Sequence, residues 1–142
     1  MKYTIMCAVS IICIILSACD SSKKMKVGPQ DFIRIGNGGG FAGKEHLTIV
    51  KDDGQIISSE GVKYRKVKKD VLTQWNSNIE VLGLKNLEYN LPGNLYNFIE
   101  IPMADKFIRM SWDPGSKDVP ASLKLFYNNI QSVIKNLRDD KL

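Results

Sequence analysis

IGNGGGFAGKEHLTI, residues Ile35 to Ile49, admits two incompatible readings, and the choice between them sets the fold. Gly38, Gly40 and Gly43 fit the dinucleotide pattern G-x-G-x-x-G, and Gly38 to Lys44 fit the opening G-x-x-x-x-G-K of a P-loop. Either nucleotide site needs a strand before the glycines and a helix after them, because amides at the helix N-terminus hold the phosphates. Here the chain continues as His46 to Val50, HLTIV, which has the β-branched composition of a strand. Glu45 stands where a P-loop has a Ser or Thr for Mg²⁺, and its carboxylate would repel a phosphate. A kinase-type glycine loop does join two strands, but this chain has no room for the rest of a kinase. The stretch therefore reads as a glycine-built hairpin between antiparallel strands, and no nucleotide is expected.

The rest of the domain follows the same grammar. Asp31 to Gly36, DFIRIG, is the strand entering the hairpin. Lys51 to Gly54, KDDG, is a turn by chemistry, since Asp-Gly favours positive φ. Gln55 to Ser58 and Gly61 to Lys68 are expected as two further short strands. Asp70 is placed to cap a helix in which Val71, Leu72, Trp75, Ile79 and Leu82 recur at helical spacing, with Gly83 as its stop. Lys85 to Asn94 reads as loop. Leu95 to Ile101 and Phe107 to Trp112 form a second hairpin about the turn Met103 to Lys106. Asp118 is placed to cap the last helix, with Pro120 in its first turn. Leu123, Phe126, Ile130, Val133, Ile134 and Leu137 form its apolar stripe, read as packing against a sheet with a partner-binding face as the other option. The order β-β-β-β-α-β-β-α predicts an α+β class: an antiparallel sheet of about four to six strands with two helices packed on one face.

The N-terminus is set apart from this domain. Lys2 precedes a run, Ile5 to Leu16, that is almost continuously apolar yet shorter than the ~20 residues a bilayer span needs. It fits the apolar region of a secretory signal. The sequence Leu16-Ser17-Ala18-Cys19 resembles the lipobox of bacterial lipoproteins. That resemblance implies cleavage before Cys19 and attachment of diacylglycerol and a palmitate-type chain there, which anchors the protein in a membrane. The expected organisation is a signal peptide over 1–18, a flexible tether over 19–30 and one domain over 31–142. Localisation follows as the bacterial cell envelope, with inner and outer membrane both open. Of the three cysteines, Cys7 and Cys13 would leave with the signal and Cys19 would be lipidated, which removes disulfides and thiolate chemistry from the mature chain.

Charge and the remaining polar residues narrow the function classes. The chain carries +5, with much of the excess in Lys63 to Lys69, KYRKVKK. A solvated strand that discourages edge pairing accounts for this segment, and contact with anionic headgroups is a second option. Nucleic acid is not expected as a partner of an exported domain. His46 is the only histidine. Asp52-Asp53 and Asp139-Asp140 fall in a turn and a tail, and Trp75 and Trp112 read as core. These features leave no catalytic residues, no metal site and no cofactor in the expectation, so a non-enzymatic module is predicted.

Gly39 to Gly43, GGFAG, follows the first strand, and Asp118, Pro120 and Leu123 give D-x-P-x-x-L at the start of the last helix. With the order of elements over roughly residues 31 to 137, these resemble emfourin-type proteins, small inhibitors of thermolysin-like metallopeptidases. The resemblance implies a protein-binding domain whose partner is an exported metallopeptidase. The partner-binding residues would be Gly38, Gly39, Gly40, Phe41, Ala42 and Gly43, with Phe41 as the apolar anchor. The competing expectation is an envelope structural or adaptor lipoprotein, in which the glycines only build a turn.

Overall fold

The computed structural model describes residues 31–104 and 106–139. The expected signal peptide, the expected lipidation site Cys19 and the expected tether lie outside the described residues, as do Asp105 and Asp140. Among the described residues, no helix is long and apolar enough to cross a membrane.

Alternation of side chains builds the sheet. In β1 (Asp31–Gly39), Ile33 and Ile35 point to one face and Arg34 and Gly36 to the other. The glycine turn reverses the chain into β2 (His46–Lys51), and the Asp-Gly turn reverses it again into β3 (Ile56–Ser58). The second hairpin joins β5 (Leu95–Met103) to β6 (Lys106–Trp112). A two-residue β4 (Asn90–Leu91) completes six strands in the order β3-β2-β1-β5-β6-β4. Every pairing is antiparallel except that of β4 with β6. The two hairpin units meet along β1 and β5, where Ile35 pairs with Ile99 and Gly36 with Phe98.

Helices α1 (Lys69–Val81) and α2 (Ala121–Asp139) cover one face. Trp75 and Ile79 of α1, and Leu123, Phe126, Ile130 and Ile134 of α2, share one apolar cluster with Ile33, Ile35, Val50, Ile99, Ile101 and Met110. The indole N–H of Trp75 donates to Asn129 Oδ1 at 2.8 Å and ties the helices together. Trp112 meets Tyr127 edge-on at 4.9 Å between ring centroids, so both tryptophans lie in the core. The architecture is the α+β sheet with two helices on one face that the patterning predicts.

Four local expectations need correction. Gly61 to Lys68 is not a strand: its ladder contact is a single bridge, Lys63 with Ile57. The segment instead straps the β3 edge through Ser58 N–H to Val62 O, Tyr64 N–H to Ile56 O and Val67 N–H to Gly54 O, at 2.9–3.0 Å. Both Tyr64 and Val67 turn inward toward the core, a spacing of three that a pleated strand does not provide. Arg65 and Lys66 between them are exposed on the outside of a covered edge. Second, β4 lies inside the stretch read as loop. The carbonyls of Tyr89 and Leu91 accept from the amides of Ser111 and Asp113 at 3.0 and 3.2 Å.

The other two corrections concern helix starts. Lys68 occupies the N-cap of α1 without a side-chain bond. Asp70 lies inside the first turn, where its carboxylate accepts from Val71 N–H at 3.0 Å and complements the positive end of the helix. In α2 the carbonyl of Pro120 accepts from Lys124 N–H at 3.0 Å, so Pro120 stands immediately before the first helical residue. The Asp118 carboxylate makes no bond to the helix among the described residues; the amide of Asp118 instead donates to Ser116 Oγ at 3.2 Å.

Candidate functional site: the glycine hairpin and the uncovered sheet face

The five clustered glycines have two separate jobs. Gly36 and Gly38 belong to β1, on the face without helices, where aromatic side chains from β5 lie against them. A methyl group on Gly36 would stand 2.8 Å from Phe98 Cζ, and one on Gly38 would stand 2.7 Å from the Tyr96 hydroxyl oxygen. Absence of a side chain there lets Phe98 be completely buried on a face no helix covers. Gly39, Gly40 and Gly43 form the reversal. Gly39 has φ 95°, and a methyl group on it would stand 2.0 Å from the carbonyl oxygen of Asn94. The amide of the next residue, Gly40, donates to that same carbonyl at 2.7 Å. The turn is therefore pinned to the start of β5, and the amide of Gly43 closes it onto Gly40 O at 3.2 Å.

Phe41 is left at the tip, fully exposed, next to exposed Ala42. Leu95, also exposed, borders Gly40: its Cδ2 lies 3.4 Å from where a Gly40 Cβ would stand. Exposed single apolar residues are ordinary on a protein surface. Phe41 differs in its mounting, because it sits in a turn closed by the Gly43 N–H to Gly40 O bond and tied to β5 through Gly40 N–H to Asn94 O.

Glu45 braces the base of this hairpin. Its Oε1 accepts from the Tyr96 hydroxyl at 2.8 Å and from Nη2 of Arg109 on β6. Arg109 also donates through Nη1 to Glu100 at 2.7 Å, and its guanidinium lies 3.9 Å above the Phe98 ring. The row continues across the sheet. Glu100 accepts from Arg34 at 3.4 Å, Arg34 donates to Asp31 at 2.9 Å, and Asp31 pairs with Lys51. Arg34 stacks on Phe107 at 4.2 Å. The uncovered face thus carries alternating charges laid over aromatic rings, which shields apolar surface from water without a third layer of structure.

The electrostatics agree with that picture. Burial of Arg109 works against its charge, but hydrogen bonds to Glu100 and Glu45 outweigh it and raise its pKa. The hydrogen bond to Glu45 is also the main cause of a raised Tyr96 pKa. These shifts belong to a structural brace, in which every charge faces an opposite one.

Other residues singled out in the sequence do not converge. His46 starts β2 with a largely exposed ring, its Nδ1 4.0 Å from Glu60 Oε1. Among the described residues, no group of three or more His, Cys, Asp and Glu side chains is placed to hold a metal ion. Gly38 and Gly39 end β1, and Gly40 to Gly43 form the turn that follows, with Phe41 at its apex. The residues that sequence reading misses are the supports: Glu45, Tyr96, Glu100 and Arg109. Their signal is the off-core parity of Tyr96, Phe98 and Glu100, which alternate with the core residues Ile99 and Ile101.

Compared with protein-family models the chain matches none, and no curated protein is significantly similar to it.

Proposed function

We propose that this protein is a non-enzymatic, lipid-anchored module of the bacterial cell envelope that binds an exported thermolysin-like metallopeptidase through the Gly38–Gly43 hairpin. The observation that carries the reading is Phe41: a large apolar side chain with no intramolecular contact surface, held out by a turn that is itself pinned and braced. Such a turn loses little freedom on docking, so the gain from burying the ring is not spent on ordering the loop. Full burial of a phenylalanine is worth about 2–3 kcal/mol, and this is the scale at which one residue acts as the anchor of an interface.

The GGFAG resemblance supplies the class of partner, and the lipobox-like LSAC supplies the place. A tether on Cys19 holds the module at a membrane past which exported enzymes move. In this reading the hairpin enters a cleft and blocks it by occupancy, and no covalent step is required.

The test is titration of a thermolysin-type peptidase with the full chain in detergent micelles, the chain being varied around the enzyme concentration. Stoichiometric loss of peptidase activity supports the proposal. Full activity at excess protein, under conditions where the domain is shown to be folded, counts against it.

A further inference from the structure

The charge of the domain is unevenly placed. Between Gly61 and Lys69 stand Lys63, Arg65, Lys66, Lys68 and Lys69 with no acidic residue, whereas the rest of residues 31–142 carries eleven Lys and Arg against fourteen Asp and Glu. All five of these cations are exposed. Lysines on a bare sheet edge are explained by the need to repel another strand. That need is absent here, because the backbone of the strap already covers β3. Lys68 and Lys69 also stand at the start of α1, where the positive end of the helix disfavours cations. Asp70, accepting from Val71 N–H, is a single carboxylate beside the two of them. Lys66 pairs with Asp53 at 2.6 Å, but the side chains of Lys63, Lys68 and Lys69 meet no carboxylate among the described residues.

The position of this segment is as specific as its charge. Asp31, the first residue of β1, is the register partner of Lys51. Gly54 N–H donates to Lys51 O and Val67 N–H donates to Gly54 O, both at 2.9 Å. The C-terminal half of the strap therefore lies at the end of the sheet where the chain enters β1. Phe41 lies beyond the opposite end of β1, whose nine residues span about 30 Å.

We infer that the basic segment over 61–69 docks on anionic lipid headgroups and turns the hairpin end of the domain away from the bilayer. The inference rests on the lipid-anchor reading of Cys19 and extends it. Residues 20–30 would keep the entry to β1 within about 20 Å of an anchored cysteine, and they add Lys23, Lys24 and Lys26 against Asp20. At that range a contact too weak to recruit a free protein still orients a tethered one. Several cations held next to a negatively charged leaflet provide such a contact.

The experiment uses the full chain purified from membranes, labelled with ¹⁵N and placed in lipid nanodiscs. One set of discs is phosphatidylcholine, and the other is an equal mixture with phosphatidylglycerol. A gadolinium-chelating headgroup in both reports which amides lie near the lipid surface. In the mixed discs relaxation should be strongest at the amides of residues 66–69 and weakest at residues 40–43. Phosphatidylcholine alone, or about 1 M sodium chloride, where the Debye length is ~3 Å, should abolish that contrast. Lys68→Gln combined with Lys69→Gln should weaken docking at least about tenfold, with an amide spectrum that shows the fold intact. The same relaxation pattern in both kinds of disc, strongest relaxation at residues 40–43, or unchanged docking by the double variant overturns the inference. So does a shift of these amides with polyglutamate but not with anionic lipid, which would assign the segment to an acidic protein. Retention on phosphatidylcholine discs at high salt reports the anchor separately. If retention fails, the anchor reading fails, and docking is read from salt-sensitive binding of the same chain to the mixed discs, whose absence overturns it.

Discussion

Gly36 is the floor on which Phe98 rests: a methyl group at that position would meet Phe98 Cζ at 2.8 Å and the carbonyl oxygen of His46 at 2.1 Å. The second contact is with backbone, which cannot move aside without breaking the β1–β2 ladder. Gly36→Ala should therefore destabilise the domain by about 2–4 kcal/mol. Gly43 supplies the contrast, since it has φ 59° and no atom within 4 Å of an added methyl. Gly43→Ala should cost only about 1 kcal/mol of left-handed strain. Urea midpoints of the two variants, measured with unchanged slopes, check the ranking.

Glu45 acts on the hairpin's posture more than on global stability. It accepts hydrogen bonds from Tyr96 and Arg109 but is partly exposed, so solvent screens much of their worth. Glu45→Ala should lower stability by about 0.5–1 kcal/mol. Hydrogen exchange of the amides over residues 40–45 should accelerate far more than exchange in β5. Equal acceleration everywhere would show that Glu45 supports the whole sheet.

Trp75 joins the two helices through one polar atom in an otherwise apolar site. Trp75→Phe removes the donor to Asn129 Oδ1 and leaves a gap beside α2. The expected cost is about 2–3 kcal/mol. Trp75→Phe combined with Asn129→Leu should recover part of that loss. A double-mutant cycle of thermal unfolding measures the coupling.

Acid should weaken the fold through Asp31. Burial alone would raise its pKa, but hydrogen bonds from Lys51 and Arg34 outweigh burial and bring it below the ordinary 3.8. A depressed folded value means the contribution is present above 3.8 and is lost as pH falls through the lower folded value. Asp31→Asn should lower the Tm at neutral pH and flatten its decline in that acid window. A wild-type slope in the variant would place the acid sensitivity elsewhere.

The antiparallel class was legible because two local facts agreed: Glu45 spoils a phosphate site, and HLTIV continues as a strand. The last helix was legible from its stripe, and Leu123, Phe126, Ile130 and Ile134 are indeed buried in the core. The strap over residues 61–68 misled because its extended, lysine-rich composition is that of an edge strand, while its inward residues are three apart. β4 is two residues long, too short for any period to register. The brace escaped for a different reason. Glu45 and Arg109 are 64 residues apart, and only the register of β1, β5 and β6 brings them together. The turn itself was readable from its glycines, whereas what holds it still depends on long-range pairing.

The most direct measurement is a paired titration of a thermolysin-type peptidase with the wild-type chain and with Phe41→Asp, both in detergent micelles. Phe41 makes no packing contribution to the domain, so the variant should unfold at the wild-type temperature. The account predicts stoichiometric inhibition by wild type and at least about a hundredfold weaker inhibition by the variant, from lost apolar burial and a carboxylate forced into the cleft. Equal inhibition by both chains, or none by either while both are folded, would contradict it.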